Sequence, residues 1–416
     1  MFAVVQLDFD ASKVLLEIAA VRSEPSFLSK KRCHYVEWVN KVLQSHKAMV
    51  IDEFRICFEL DESSQDDVDE WLLYAFAKRV KSLQLDFLQF GMPTAFVLEP
   101  YLFPSCRIFD QNVEENSIES LSIIHTKSFR TLRVTDFQSL RSLRLAGVDV
   151  TGETLHFLME KFHLLEHLVV IGSQSEDLSS VLVCGSSSLK YLELTHCRCL
   201  KSIIVRDARH LVSLKYTWVS NVVLENVPEL VDVWVSGWKF SRMILQLSSL
   251  LTRLESLTLR VSNSDVNEDV TRFLKVPHPI GLKQLTLDVR ASEDDSLLRL
   301  TSSFMKSCPN LEKFVLKLHW LPSCCISNRQ FKRVPSRPHK CLKVFEFQGY
   351  YGRKADDEII MYFLKNGTAL ERIILDPRCQ TFCFRQRIRE PRTEIARIRA
   401  EELFKGLIRP SVELVI

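Results

Sequence analysis

The sequence predicts an α/β fold in which short parallel strands recur along the chain and pack side by side. The first observation is a spacing: between Leu189 and Leu194 the apolar residues fall at positions 1, 4 and 6, which puts Leu192 and Leu194 on one side of a strand. The second is recurrence, because the same spacing returns about a dozen times. The third is a regular step of 19 to 31 residues between the strongest copies.

These observations predict a leucine-rich-repeat solenoid, a horseshoe with a parallel concave β-sheet and with helices and some strands on its convex side. One repeat cannot bury its own apolar ladder, but adjacent repeats together bury a continuous core. The residues between the apolar positions are mostly polar, which supports an open concave face. The strong strand candidates begin at Leu140, Leu165, Leu189, Leu211, Leu230, Leu254, Leu282, Leu311, Leu342 and Leu370.

The N-terminal part contains weaker copies and two helices. Helical spacing of apolar residues predicts a helix from Pro25 to Gln44, and a second follows the acidic residues near Asp66 and ends in the basic pair at 78–79. Residues 91–128 have little periodicity and predict loops and short strands. The weaker copies are Val4, Leu7 and Phe9; Ile51, Phe54 and Ile56; Val80, Leu83 and Leu85; and a degenerate one at Phe129, Leu132 and Val134.

The repeats after residue 140 differ in length, and their outer layer is expected to differ as well. The longer repeats carry helical spacing at 154–163, 296–307 and 358–364. The shorter repeats have too little chain for a helix, and their intervening residues are β-branched. The sequence therefore predicts that the outer layer changes from helices to strands between about residues 180 and 250.

Composition narrows the class of protein and of partner. Fifty-five basic and 52 acidic residues give a net charge of +3, which is too balanced to indicate nucleic acid or membrane as the main partner. Twelve scattered cysteines indicate reduced thiols in a cytoplasmic or nuclear protein. Neither a secretory signal nor an apolar run of membrane-spanning length is recognised.

The sequence offers little catalytic or metal chemistry. It has no phosphate-binding glycine loop, nucleophile elbow or paired carboxylates in a recognisable setting, so neither an enzyme nor a cofactor is expected. Three small groups of histidine and cysteine lack the four ligands that a structural zinc site needs. In the histidine pair the helix is expected to end before the second histidine, which falls on a strand, and for the two cysteine groups buried or half-buried thiols are the favoured interpretation. The groups are His163 with His167; His196 with Cys197 and Cys199; and Cys379 with Cys383.

Two further features allow a binding role beside a structural one. Trp234 falls at an outward strand position, where an exposed tryptophan is often an interface hot spot, although it could instead pack under neighbouring side chains. Trp218 and Trp238 lie past their strands and are expected to anchor the core or a loop. The basic run from Arg385 to Arg399 could bind acidic partners or act as a nuclear signal, but interspersed glutamates favour a solvated helix face.

The outward strand positions supply the candidate protein-binding residues. A rigid sheet holds such side chains in fixed positions, which is what side-chain recognition of a partner requires. The candidates on the concave face are Arg144, His167, Tyr191, Glu193, Lys215, Trp234, Arg260 and Asp288.

The C-terminal quarter resembles a known module. Residues 341–353 read Cys-Leu-Lys-Val-Phe-Glu-Phe-Gln-Gly-Tyr-Tyr-Gly-Arg, residues 357–366 read Asp-Glu-Ile-Ile-Met-Tyr-Phe-Leu-Lys-Asn, and residues 370–378 end in Asp-Pro-Arg. This pattern resembles the FBD module of plant F-box/leucine-rich-repeat proteins: a strand, a Gly-Tyr-x-Gly-Arg turn, a helix and a strand. With matches at 35–43, 51–56 and 71–85, the resemblance covers nearly the whole chain and is weakest at 91–139.

The resemblance implies substrate recognition for a ubiquitin ligase, with one departure. Relatives normally begin with an F-box that docks a Skp-type adaptor and through it a cullin, whereas the segment at Gln6–Asp10 is similar to the one just after the F-box. Adaptor and cullin are therefore expected as partners only if an F-box is supplied. The expected partner of these residues is a protein substrate of unknown identity.

Three interpretations of function stay open. The first is a non-enzymatic interaction scaffold that captures a protein on its concave face. The second is a truncated paralogue without a ligase role, and the third is a small-molecule sensor, for which only analogy speaks. The expected organisation is N-terminal repeats at 1–90, an irregular segment at 91–139, leucine-rich repeats at 140–334, the FBD module at 335–378, and a terminal helix and strand at 379–416.

Overall fold

The computed structural model shows two compact units, each built around parallel strands. The first unit comprises Met1–Val212 and Val219–Glu229, and the second comprises Ser213–Trp218 and Leu230–Ile416. The structure describes residues 6–14, 25–87, 117–126, 137–237, 240–262, 279–291, 297–320, 338–377 and 391–416.

The described residues contain eighteen strands, with seven helices interspersed among them, as in an α/β repeat fold. In chain order the strands are β1 (Gln6–Asp10), β2 (Glu53–Cys57), β3 (Ser82–Asp86), β4 (Ser120–Ile124), β5 (Ser142–Ala146), β6 (His167–Ile171), β7 (Ser180–Cys184), β8 (Tyr191–Thr195), β9 (Ser202–Arg206), β10 (Ser213–Thr217), β11 (Asn221–Glu225), β12 (Asp232–Ser236), β13 (Ser256–Ser262), β14 (Gln284–Ala291), β15 (Lys313–Trp320), β16 (Val344–Gln348), β17 (Arg372–Asp376) and β18 (Glu413–Val415). The helices are α1 (Pro25–Ser45), α2 (Gln65–Ala77), α3 (Gly152–Lys161), α4 (Phe240–Leu247), α5 (Leu297–Ser307), α6 (Lys354–Asn366) and α7 (Pro391–Phe404), with a 3-10 turn at Glu62–Ser64.

The first unit has a main sheet in the order β1-β2-β3-β4-β5-β6-β8. Every neighbouring pair is parallel and in register, so that equivalent residues of successive repeats form rows across the sheet. Leu192 and Leu194 belong to two such rows and are completely buried. Parallel stacking of one repeat on the next therefore forms the core, as the periodicity predicts.

The outer layer of the first unit changes from helices to strands. Helices α1 and α2 pack on the N-terminal repeats, where Tyr35 stacks on Phe58 with ring centroids 4.4 Å apart. Farther along, β7, β9 and β11 form a second parallel sheet in the order β11-β9-β7. The predicted change is thus confirmed from residue 180 to 225, but its upper limit is wrong, because α4 occupies Phe240–Leu247. That repeat is long enough for two helical turns.

The second unit contains β10 and β12 to β18, again parallel and in sequence order. Its helices pack on the core side of the sheet. Phe345 of β16 stacks on Phe363 of α6 with ring centroids 3.9 Å apart, and Phe314 of β15 lies 5.4 Å from the same ring. This end of the core is therefore aromatic, while the rows around Leu192 are aliphatic.

The strands begin two residues later than the leucines from which the sequence predicts them. Leu140 is buried just before β5, and the strand proper starts at Ser142. The reason is a shared acceptor: the amides of Arg141 and Ser142 both donate to the carbonyl of Glu119, at 2.8 and 2.9 Å. Regular one-to-one pairing starts only after this bifurcated contact.

One additional repeat copy lies in a segment that the sequence predicts to be irregular. Ile118, Leu121 and Ile123 have the 1, 4, 6 spacing, are completely buried, and place β4 between β3 and β5. The predicted degenerate copy at 129–134 lies outside the described residues.

Several main-sheet strands end in a left-handed turn. His125, Gly147, Gly172, His196 and Trp218 each follow a strand directly and have φ between 54° and 73°. For four of them the amide donates to the last strand residue of the next repeat, as from Gly147 to the carbonyl of Ile171 at 2.7 Å. The turn closes each strand end with a backbone hydrogen bond to its neighbour.

The turn after β16 corresponds to the Gly-Tyr-Tyr-Gly-Arg sequence. Gly349 has φ +83°, and a Cβ there would collide with the Leu318 carbonyl, so this position requires glycine. The Asp356 carboxylate caps α6 by accepting from the amides of Tyr351 and Arg353 at 3.0 and 3.1 Å. Element order here matches the strand, turn, helix and strand that the sequence predicts.

Residues immediately before the strands form ladders of alternating charge. In the first unit Lys81 lies 3.5 Å from Asp52, and Glu166 is bound by both Arg141 and Lys190 at 2.7 Å. The first-unit series reads Asp52, Lys81, Glu119, Arg141, Glu166, Lys190 and then Val212.

The second unit repeats the arrangement. There Lys283 binds Glu255 at 2.9 Å and Lys343 binds Glu312 at 2.8 Å. Its series reads Val231, Glu255, Lys283, Glu312, Lys343, Glu371 and Val412. The sign of the charge thus alternates along both ladders, and a valine stands at one end of the first ladder and at both ends of the second.

Candidate protein-binding faces

Each unit has a sheet face turned away from the core, here called its open face. Along every main-sheet strand the core residues alternate with residues on this face, because successive side chains point to opposite sides of a strand. All eight candidate binding residues lie on the open faces, four in each unit. Their surroundings differ greatly.

In the first unit the candidates lie on β5, β6 and β8, three neighbouring strands of the main sheet. Arg144 on β5 and His167 on β6 are exposed, and the His167 ring lies 6.1 Å from that of Tyr191. Glu193 is only 5% exposed, because it accepts from the Tyr191 hydroxyl at 2.7 Å and from the Thr195 hydroxyl at 3.0 Å. Glu193 therefore orders its neighbours more than it offers a free carboxylate.

In the second unit the aromatic candidate is held by its neighbour. The Lys215 ammonium lies 5.0 Å from the centroid of the Trp234 ring, a cation–π contact across β10 and β12. One row away, the Ser213 hydroxyl donates to Asp232 at 2.7 Å. The indole is half-buried, so part of its surface is open to a partner while its orientation is fixed.

A charged cluster occupies the ends of the next strands. The Asp288 carboxylate is 7% exposed and is contacted by Arg260 Nε and His319 Nε2, each at 3.0 Å. Burial alone would raise the pKa of Asp288, but the His319 hydrogen bond and the Arg260 charge outweigh it and hold that pKa below its usual value. Asp288 is thus an ionised, buried anchor for two basic side chains.

Three further charged residues of this cluster escaped the sequence prediction. Strands β13, β14 and β15 have seven or eight residues, whereas most strands have five, and each therefore presents an extra outward position. Arg290 and His319 lie at these extra positions, and Lys317 lies at the outward position before His319 on β15. The sequence does contain a signal for the longer strands, because the apolar alternation continues one step farther at Val261, Val289 and Leu318.

The histidine and cysteine groups have structural surroundings. His196 occupies a left-handed turn position at φ +58°, and buried Cys197 donates toward the Thr195 carbonyl at 3.5 Å. Burial raises the pKa of the Cys197 thiol to about 11, which disfavours the thiolate that metals bind. Within the described ranges no three His, Cys, Asp or Glu side chains converge as a metal site would require. Cys379 and Cys383 lie outside those ranges.

The two other tryptophans and the basic run that the sequence singled out differ in their surroundings. Trp218 is 40% exposed, and its amide donates to the Ser236 carbonyl at 2.7 Å, so its backbone, at least, anchors a turn. Trp238 lies outside the described residues. Arg399 of the basic run binds Asp357 of α6 at 2.7 Å. None of the described helices has both the length and the apolar character needed to cross a membrane.

Comparison with known proteins agrees with this architecture. A family model described as At1g61320/AtMIF1, LRR domain, matches residues 42–406. The Arabidopsis thaliana F-box/FBD/LRR-repeat protein At4g26340 is 25% identical over 364 residues, which cover 82% of this chain and 79% of that protein. The FBD-associated F-box protein At5g38590 of the same plant is 24% identical over 370 residues, covering 85% and 82%.

The fold, the open faces and these relatives together support a protein-interaction scaffold related to F-box proteins. Scaffolds of this kind are generally non-enzymatic. Since the family model spans most of the chain, this protein belongs to the At1g61320/AtMIF1 leucine-rich-repeat domain family.

Proposed function

We propose that this protein is the substrate-recognition part of a ubiquitin-ligase receptor of the F-box type. The single observation that carries the proposal is the Trp234–Lys215 pair on the open face of the second unit. A half-buried indole fixed by a neighbouring cation loses little conformational freedom on binding, and tryptophan is enriched among the residues that dominate binding energy.

The open face suits a protein better than a small molecule. Small ligands are usually enclosed in concave pockets that bury most of their surface. Trp234 instead lies on the middle row of a parallel sheet, between Lys215 on β10 and Thr258 on β13. A broad row of fixed side chains of this kind matches the rigid platforms that bind protein surfaces.

Partner capture through this face is tested in two steps. Proximity labelling with the full chain nominates partners, and purified candidates are then titrated against wild type and Trp234→Ala. We expect Trp234→Ala to weaken binding by about 30-fold, the effect of a hot-spot residue, while the thermal midpoint stays nearly unchanged. Tyr191→Ala in the first unit tests the other face in the same assay.

The matched control is Leu245→Ala, which removes an exposed apolar side chain from helix α4 of the same unit. Its affinity for the partner is expected to equal that of wild type. A partner that binds Trp234→Ala and wild type equally would refute the proposal for this face.

Adaptor docking is proposed to depend on an F-box outside the leucine-rich repeats, because the resemblance assigns that role to the F-box alone. Residues 1–416 are expected not to co-precipitate a purified Skp-type adaptor, whereas a fusion to an F-box should do so and recruit a cullin. Robust adaptor binding by residues 1–416 would contradict this part of the proposal.

A further inference from the structure

A cavity opens in the helical layer of the first unit, between α1 and the start of α2. Its volume of about 490 Å³ falls in the range of roughly 300–1,000 Å³ that ligand clefts occupy. The residues that line it lie on α1, on α2 or at the 3-10 turn before α2, so the cavity is separate from the open face. They include Arg32, Cys33, Glu37, Asp61, Ser64 and Asp67.

The cavity is acidic and is called the acidic cavity below. Three carboxylates line it, those of Glu37, Asp61 and Asp67, against the single guanidinium of Arg32. Arg32 is buried, and each of its three guanidinium nitrogens already donates to Glu59 or Asp61. An anion would therefore meet no unused guanidinium nitrogen. The surplus negative charge also outweighs the partial positive charge of about one half at the N-terminus of α2.

Two of the carboxylates are free to bind a ligand. Within the part of the chain that the structure describes, Glu37 has no hydrogen-bond or ion-pair partner, and Asp67 uses only one of its two oxygens, which accepts from the Asn40 amide at 3.0 Å. The buried Trp71 indole in turn donates to the other end of the Asn40 amide at 2.6 Å. This chain of hydrogen bonds fixes Asp67 at the cavity wall.

An independent observation at Ser64 points to a ligand. Ser64 is only 5% exposed and lines the cavity, yet its hydroxyl has no hydrogen-bond partner among the described residues. Buried polar side chains nearly always have such a partner. A buried hydroxyl that faces an acidic cavity is therefore a further acceptor for a ligand that is rich in donors.

We propose that the acidic cavity binds the guanidinium group of an arginine side chain from a partner protein. A guanidinium has five donors in a planar fork and no acceptor, which matches the unused acceptors of Glu37, Asp67 and Ser64. An ammonium group has three donors and is more strongly hydrated, so it fits this set less well. Because the cavity lies outside the open faces, the inference goes beyond the proposed function and does not depend on it.

The first test measures binding of two degenerate peptide libraries to the full chain. The libraries differ only at the central residue, which is arginine in one and citrulline, its uncharged isostere, in the other. Wild type is expected to bind the arginine library at least about tenfold more tightly at moderate salt. Equal binding of the two libraries would overturn the proposal.

The double variant Glu37→Gln, Asp67→Asn should lose the preference for arginine. Its thermal midpoint should stay near that of wild type, because Glu37 is exposed and an amide at position 67 can still accept from Asn40. The matched control is Glu62→Gln, Glu70→Gln, which removes two charges at exposed positions outside the cavity. An equal loss of preference in the control would show a general charge effect and refute the proposal.

Cys33 supplies a local measurement of occupancy. Its exposed thiol lines the cavity, so bound arginine peptides should slow its alkylation by iodoacetamide. Cys184 is exposed on β7 outside the cavity, and its alkylation rate should not change. Mass spectrometry of the alkylated peptides separates the two thiols. Slower alkylation of both thiols, or of neither, would contradict binding at this site.

Other occupants give distinct outcomes. If free arginine or guanidinium chloride binds as tightly as the peptides, the cavity is a small-cation site and the proposal is wrong. It is also wrong if a lysine-centred library binds as tightly as the arginine library, because an ammonium group then suffices. Protection of Cys33 by an aspartate-centred library would show that the cavity accepts anions and would overturn the proposal as well.

Discussion

The open faces of the two units have the same architecture but different charge. The outward strand positions of each unit include five carboxylates, while basic residues number two in the first unit and six in the second. In the first unit the basic ones are Arg55 and Arg144; in the second they are Lys215, Arg260, Arg290, Lys313, Lys317 and Arg372.

This contrast shows how a repeat fold separates stability from recognition. The inward rows are apolar in both units, because the stacked repeats bury them in either case. The outward rows have no such constraint, so their chemistry varies from repeat to repeat. The contrast also extends to buried carboxylates: Glu193 is held by hydroxyls in the first unit, whereas Asp288 is held by basic groups in the second.

The largest expected effect is a loss of stability when a core residue is truncated, in contrast to a residue on the open face. Phe345→Ala removes a completely buried ring that stacks on Phe363, and we expect it to lower the free energy of unfolding by about 3–5 kcal/mol. Denaturant titration of the full chain measures this loss. Ile374→Ala is the control, since Ile374 is a half-buried outward residue of the adjacent strand β17. A similar loss in both variants would contradict the division between core and face.

The second prediction concerns pH and the second unit alone. Burial raises the pKa of Asp356 to about 7, well above its ordinary value of 3.8, despite two backbone amides that favour the charged form. A carboxyl group whose pKa is higher in the folded than in the unfolded state stabilises the fold fully at pH values below its unfolded pKa. That contribution to stability is lost as the pH rises from about 4 to about 7. The loss amounts to up to about 4 kcal/mol.

Asp356→Asn keeps an oxygen to accept from the Tyr351 and Arg353 amides but cannot ionise. The difference in thermal midpoint between wild type and Asp356→Asn should therefore shift in favour of the variant as pH rises from 5 to 8. A pH-independent difference would show that Asp356 does not titrate in this range. Hydrogen exchange of α6 locates the effect within the second unit.

A third prediction compares the two buried carboxylates directly. Asp288→Asn loses its charge-assisted contacts with Arg260 and His319 and should cost about 1.5–3 kcal/mol. Glu193→Gln keeps an oxygen and faces two hydroxyls that can reverse their donor and acceptor roles, so we expect less than about 1 kcal/mol. Equal losses in urea titrations would remove the distinction between the two faces.

The smallest expected effect concerns the alternating ladders, which the two units share. Glu166→Lys replaces the acid between Arg141 and Lys190 with a third cation, so that three cations lie side by side. This change should lower the thermal midpoint slightly at low salt. The drop should vanish near about 1 M salt, where the screening length is only about 3 Å. Glu160→Lys, an exposed change on helix α3, makes the same charge change outside the ladder and should have no such salt dependence.

Much of the fold could be predicted because apolar periodicity reports directly on burial. The spacing at Leu189–Leu194 and its copies predicted the main-sheet strands, and helical spacing predicted α1, α2, α3, α5 and α6. Short strands were expected within residues 91–128, but the repeat copy that forms β4 was not located, because the proline-containing sequence before it hides a single regular copy. The helix α4 was missed because its repeat has nearly the length of its helix-free neighbours.

The candidate faces were harder to predict than the fold. Sequence spacing shows that Glu193 and Asp288 lie outward, yet both are buried by the side chains of other residues on the same face. For Asp288 the burial depends on side-chain pairing with Arg260 and His319 on the neighbouring strands, which no single repeat reveals. Glu193 is held by Tyr191 and Thr195 of its own strand, and the apolar spacing carries no signal for these hydrogen bonds. His319, by contrast, could have been predicted, since the apolar alternation extends through residues 314–318 and indicates an additional outward position.

The alternating ladders restrict how a chain of this kind can gain or lose repeats. Removing one repeat between Asp52 and Lys190 would bring two residues of the same sign together, whereas removing two adjacent repeats would restore opposite neighbours at the junction. Gain or loss of two adjacent repeats therefore keeps opposite charges next to each other, whereas gain or loss of one repeat does not. Val212 in the first unit and Val231 and Val412 in the second end the charged series, so the parity rule does not apply beside them and a single repeat could be exchanged there without an electrostatic penalty.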